Sequence, residues 1–128
     1  MLDNADLGKL IVRLTLGGLL LFHGIAKLFH GVGFIEGQLA SHGIPAFFAW
    51  GVFIGELLAP LMVILGYQTR IGALLIAFNM LVAIALVHSH ELMTLGNHGG
   101  WALELQGFFL FVAIAVVFLG PGRYKLKN

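Results

Sequence analysis

Four residues that lipid should reject stand inside the first two apolar runs of this 128-residue chain. Arg13, His23 and Lys27 interrupt LIVRLTLGGLLLFHGIAKLF, and Glu56 lies midway along AFFAWGVFIGELLAPLMVILG. A charged side chain at a bilayer centre costs roughly 2.5–3.5 kcal/mol on insertion scales, so such groups face a protein interior, pair with one another or line a wet cavity. An acid among bases within apolar walls suits two kinds of chemistry. One is an ion pair that binds helix to helix; the other is a site that holds a polar ligand and exchanges a proton with it. Both readings stay open at this point. A carboxylate and a base at 4 Å attract by about 4 kcal/mol at an effective dielectric near 20, which offsets much of the insertion cost.

Helical geometry sorts the remaining candidates. At about 100° per residue, Arg13, Gly17, His23, Gly24 and Lys27 fall within roughly a 120° arc of one helix, with His23 and Lys27 an i, i+4 pair. Gly51, Gly55 and Ala59 form a small-residue ladder beside the Glu56 face, which reads as helix packing. Asn79 is a lone amide in the third apolar run and is expected to hydrogen bond between helices. Glu104 opens the fourth run, where it either reaches His23, Lys27 or His88 or stays solvated at a helix start, favoured there by the dipole. The cluster His88-Ser89-His90-Glu91, with His98 nearby, supplies enough ligands for zinc or copper but matches no defined metal spacing. A haem held by His23 and His88 requires equal depth, which the spacing does not establish. Neither metal nor haem is therefore expected. The candidate site is Arg13, His23, Lys27, Glu56, His88 and Glu104, with Asn79 and His90 secondary.

These residues need a scaffold, and composition defines it. The chain is 59% hydrophobic and 10% charged, with mean hydropathy +0.98, whereas a soluble domain carries about 25% charged residues. The reading is an all-α integral membrane bundle of one domain, 1–128, with spans at about 10–29, 46–66, 71–88 and 102–119, each near the roughly 20 residues a bilayer requires. A net charge of +1 implies no nucleic-acid partner. The absence of cysteine excludes disulfides, thiolate metal sites and thiol exchange by this chain, so redox chemistry would come from a bound cofactor or a partner. The flank MLDNADLGK and the lack of a small-residue cleavage site argue against a signal peptide. Pro45 precedes the second span, Gly66 closes it, Pro60 is expected to kink it, and Gly120-Pro121-Gly122 stops the fourth. Lys9, Arg13, Arg70, Arg123, Lys125 and Lys127, six of seven Lys/Arg, share one side. The positive-inside rule then puts both termini in the cytoplasm, with Tyr67 and Tyr124 at the inner boundary and Trp50 and Trp101 toward the outer one. Residues 34–42 are expected to form a short amphipathic helix in the first outer loop, on Phe34, Ile35 and Leu39. The site is expected to open outward, so that a small anionic or quinone-like ligand meets Lys27 and His23 first, with Glu56 beneath.

A series of short motifs, in order and spacing, resembles the DoxX-like family of small bacterial membrane proteins. The motifs are Arg13 with Leu16-Gly17, His23-Gly24 with Lys27 and Phe29, Gly43-Ile44-Pro45, Gly55-Glu56-Leu57-Leu58, and Gly66-Tyr67-Gln68-Thr69-Arg70. Ala83, His88, Leu103-Glu104-Leu105 and Gly120-Pro121-Gly122-Arg123-Tyr124 complete the set. The resemblance implies a four-helix protein of the bacterial inner membrane. It also implies a link to thiosulfate:quinone oxidoreductase, to other membrane redox complexes, or to the assembly of other membrane proteins. The outer histidines depart from the family pattern. Three functions follow as expectations. The first is an accessory or quinone-linked subunit of a membrane redox complex, with a membrane or periplasmic redox protein as partner. The second is a non-catalytic scaffold or assembly factor. The third is a proton-coupled carrier, which would need a homodimer to alternate access. With no cysteine and no catalytic motif, the isolated chain is not expected to be an enzyme.

Overall fold

The structure, a computed structural model, describes residues 4–88 and 104–126. Every regular element among them is helical. Asn4 caps α1 (Ala5–His30), its side chain accepting from the Leu7 N–H at 3.0 Å, and Gly31, at φ +82°, ends the helix. A nine-residue helix, α2 (Gly33–Ser41), follows. The next apolar segment, Ala46–Leu65, is built of three pieces. A 3-10 stretch (Ala46–Gly51) leads to a π turn (Ile54–Leu58) and then to α3 (Ala59–Leu65). The expected disturbance at Pro60 thus takes the form of a π turn on its N-terminal side. Proline has no N–H to give to the carbonyl four residues back, and Ala59 N–H instead bonds Ile54, five residues back. Gly66, in the left-handed region at φ +75°, closes the segment. Helix α4 (Thr69–Ala83) runs into a second π turn, Ile84–His88, and α5 (Glu104–Leu119) stops before Gly120-Pro121-Gly122.

Three helical segments, Ala5–His30, Ala46–Leu65 and Thr69–Leu86, are long and apolar enough to cross a membrane, and Leu105–Leu119 is a shorter apolar one. The long apolar segments run antiparallel to their neighbours in sequence. Gly17 of α1 lies against Ile64 and the Pro60 carbonyl, while Gly24 lies against Glu56; Gly72 of α4 meets Met62 and Val63, while Gly55 meets Asn79. A Cβ on Gly24 would collide with the Glu56 carbonyl oxygen, and one on Gly55 with Asn79. Small residues at these crossings let the backbones approach, as membrane packing requires. The main core joins Leu16 and Leu20 to Val63, Ile76, Met80, Phe109 and Val116. A second cluster, Val32, Leu39, Ala49 and Val52, ties α2 to the start of the second segment. Leu39 is buried there and Ile35 packs beside it, whereas Phe34 is 66% exposed.

Candidate functional site

The polar residues of the first two segments form two separate constellations. At the end that carries both termini, Arg13 is 1% exposed. It binds backbone carbonyls only. Its Nε donates to Val63 at 2.9 Å, Nη2 to Ile64 at 3.0 Å, and Nη1 to Pro121 at 2.9 Å and to Tyr124. The first two acceptors are last-turn carbonyls of α3, where orphan C=O groups and the negative end of the helix dipole favour a cation. The other two belong to the segment after α5. Asp6 accepts from the Arg123 backbone N–H at 3.1 Å, and the Leu126 N–H donates to Leu65 at 3.2 Å. Arg70 serves α5 in the same way, its Nε donating to Val117 at 2.9 Å beside Gly120. This arrangement corrects the expected grouping of Arg13 with the other basic residues. Lys27 stands fourteen positions further along α1, about 21 Å at roughly 1.5 Å per residue. A planar fork with five donors matches a cup of carbonyls, and Arg13 needs no carboxylate.

The second constellation lies toward the other end. Glu56, 4% exposed, sits on the π turn. Lys27 Nζ donates to its Oε1 at 2.5 Å, and Asn79 Nδ2 to its Oε2 at 2.8 Å. Three segments therefore converge on one carboxylate: α1 supplies the cation, the π turn the acid, α4 the amide. The Lys27 side chain is 30% exposed, against 5% for Glu56, so the pair has a buried acid and a partly accessible base. Above it opens a cavity of about 520 Å³. Its polar lining includes His23, Lys27, Glu56, Asn79 and Gln106, and its walls are apolar, with Phe34, Phe48, Phe78 and Phe109 among them. His23 stacks edge-on against Phe109, with ring centroids 5.7 Å apart. The volume falls within the roughly 300–1,000 Å³ of small-molecule sites.

Of the residues expected at the site, the structure brings Lys27, Glu56, Asn79 and His23 to one cavity and leaves Arg13 outside it. The backbones of His88 and Glu104 are helical, but their side chains, together with His90 and His98, lie outside the described residues. Among the described residues no three His, Asp or Glu side chains converge as a metal site would require. Gln106 and the α2 residues Phe34 and Ile35 line the cavity without having been expected there. An amide one helical turn from Phe109, on the face that Leu110 and Ala113 bury, was the available signal for Gln106.

A small helical membrane protein with an ion pair at the floor of an internal cavity is the class these features define. The chain belongs to the DoxX family: the family profile matches residues 8–89. It is 31% identical over 126 residues to an uncharacterized membrane protein of Mycobacterium tuberculosis, Rv3486, covering 91% of this chain and 77% of that one. It is 32% identical over 87 residues to the putative oxidoreductase CatD of Bacillus subtilis, covering 68% of this chain and 64% of that one. No solved structure matches.

Proposed function

We propose that this protein is a ligand-binding subunit of a membrane redox system, spanning the bacterial inner membrane four times with both termini in the cytoplasm. One observation carries the reading. Glu56 is held between Lys27 and Asn79 at the base of a cavity large enough for a small molecule. A purely structural ion pair needs no adjoining cavity; a binding site does. The oxidoreductase in the name of CatD supports a redox setting. A quinone is the cofactor class that suits the lining, because aromatic walls accommodate a flat ring while Lys27, His23 and Asn79 offer donors for carbonyl oxygens. When bound, such a group would carry electrons and protons together. This chain's residues would bind and orient it, Glu56 holding or releasing a proton at its carboxylate with Lys27 as the compensating charge, while the apolar walls exclude water. The partner would be a membrane or periplasmic redox protein, since the chain brings no cysteine of its own.

Native mass spectrometry of the gently extracted protein tests this. A co-purifying small molecule on the wild-type chain that is lost from Glu56→Gln supports the reading. A ligand-free chain whose partner complex survives Glu56→Gln intact points to the scaffold role instead.

A further inference from the structure

The cavity wall shows where its occupant comes from. Exposed apolar residues of the second segment recur as Ile54, Leu58, Leu61 and Leu65, and those of α4 as Ile71, Leu74, Phe78 and Val82. Both series follow the i, i+3, i+4 spacing of one helix face, and in a membrane protein these are the faces that meet lipid. Ile54 (50% exposed), Phe78 (67%) and Val82 (37%) belong to these stripes and also line the cavity. A residue that touches both lipid and cavity marks a side opening. The two segments touch at Gly55 and Asn79, where no Cβ would fit, and these three side chains frame the space beside that crossing. Charge supplies the second half of the argument. Lys27 is already neutralised by Glu56 at 2.5 Å, and Asn79 is neutral, so this group holds no spare cation for an anion.

We infer that the site takes an uncharged, single-headed lipophile from the bilayer, its head on the Lys27–Glu56–Asn79 group and its tail leaving between Ile54, Phe78 and Val82. This rests on the proposed binding role of Glu56 but is separable from it. It also sets aside the small anion entering from the outer aqueous face. A ligand that dissolves in lipid is concentrated there and need not shed a hydration shell to enter apolar walls.

The test uses the full chain in phosphatidylcholine nanodiscs and two probes, a 1,4-naphthoquinone with a long alkyl tail and a tailless, sulfonated one. Retention per protein is measured by mass spectrometry against empty discs. The tailed probe is expected to be retained at least about tenfold better at equal total concentration. Its retention should fall about as much in the double variant Ile54→Trp, Val82→Trp, and should hold in Phe118→Trp, which changes an exposed residue outside the cavity. Should the tryptophan pair fail to fold, a tail-length series on the wild-type chain decides, since retention must rise faster than partition into empty discs. Equal retention of the sulfonated probe, abolished by Glu56→Gln and indifferent to the tryptophans, overturns the lipid route and leaves the site standing. Retention of neither probe above empty discs, with Glu56→Gln indistinguishable from wild type, overturns both.

Discussion

Arg13 is the residue whose removal the structure makes most costly. Its guanidinium makes four hydrogen bonds, to Val63, Ile64, Pro121 and Tyr124, joining three segments that are distant in sequence. Hydrogen bonds to a charged group contribute about 1.5–3 kcal/mol each, which gives roughly 6–12 kcal/mol if the four were independent. They are not independent, because one fork makes all four, and water at the membrane boundary would rehydrate part of the cup. Arg13→Ala leaves four carbonyls short of a donor and no orphaned charge, so the expected loss lies below that sum, at about 3–5 kcal/mol. That lowers the folded-to-unfolded ratio by roughly two to three and a half decades. Arg13→Lys should recover about half, since one ammonium lacks the planar fork. The assay is reversible unfolding in mixed micelles followed by circular dichroism, combined with removal of the residues after Leu119. Truncation takes away the Pro121 and Tyr124 acceptors, so its effect and that of Arg13→Ala should fall short of additive by at least about 1 kcal/mol. An Arg13→Ala chain within about 0.5 kcal/mol of wild type, or full additivity with the truncation, would refute the clamp.

Two further outcomes follow from the same geometry. Lys27→Met leaves Glu56 buried without its cation and should destabilise by on the order of 3 kcal/mol, while adding Glu56→Gln should restore most of it, because removing both charges costs less than orphaning one; unfolding of the two variants in one detergent checks this. The proposed topology, with both termini in the cytoplasm, predicts that a cysteine at position 36 reacts with an impermeant thiol reagent added outside intact cells and that one at 126 reacts only after permeabilisation; labelling of 126 in intact cells would reverse the topology.

The membrane class and the polar residues of the first two segments were legible in the sequence because burying charge in lipid is costly enough to be informative. Glu56 and Lys27 could be expected to meet, since each needed a partner and both lay on glycine-bearing faces. Arg13 misled for a physical reason. A lone arginine in an apolar run looks like half of an ion pair, yet a helix C-terminus offers carbonyls as an equivalent counter-charge. Finding those acceptors required the contact between α3 and the GPGRY segment, more than 50 positions away along the chain. The pairing of Asn79 with Glu56 likewise depended on the crossing of the π turn and α4 at Gly55. A cavity over Glu56 was legible as a requirement of buried charge, but its extent and its lining by Gln106, Phe34 and Ile35 were not, because the shape of a void is a property of how helices diverge and no residue type encodes it.

Pro60 is where local chain chemistry and the candidate site meet most directly. In an unbroken α-helix the Glu56 carbonyl would accept from the N–H of residue 60, and proline has none. Ala59 N–H goes instead to Ile54, and the Glu56 carbonyl points toward Gly24 of α1, where a Cβ would leave no room for it. Such π turns occur frequently at functional sites, and this one carries the acid that Lys27 and Asn79 hold. Pro60→Ala returns the missing donor and should let the turn tighten toward α-helix, drawing Glu56 out of register with its two partners. Stability and binding should then part company. Unfolding in detergent should stay within about 1 kcal/mol of wild type, as the regained backbone hydrogen bond offsets slightly thinner packing. Retention of the alkyl-tailed naphthoquinone in nanodiscs should fall several-fold. If retention is unchanged, the π turn is incidental to the site; if both readouts fall together, Pro60 is a packing residue and the placement of Glu56 has another cause.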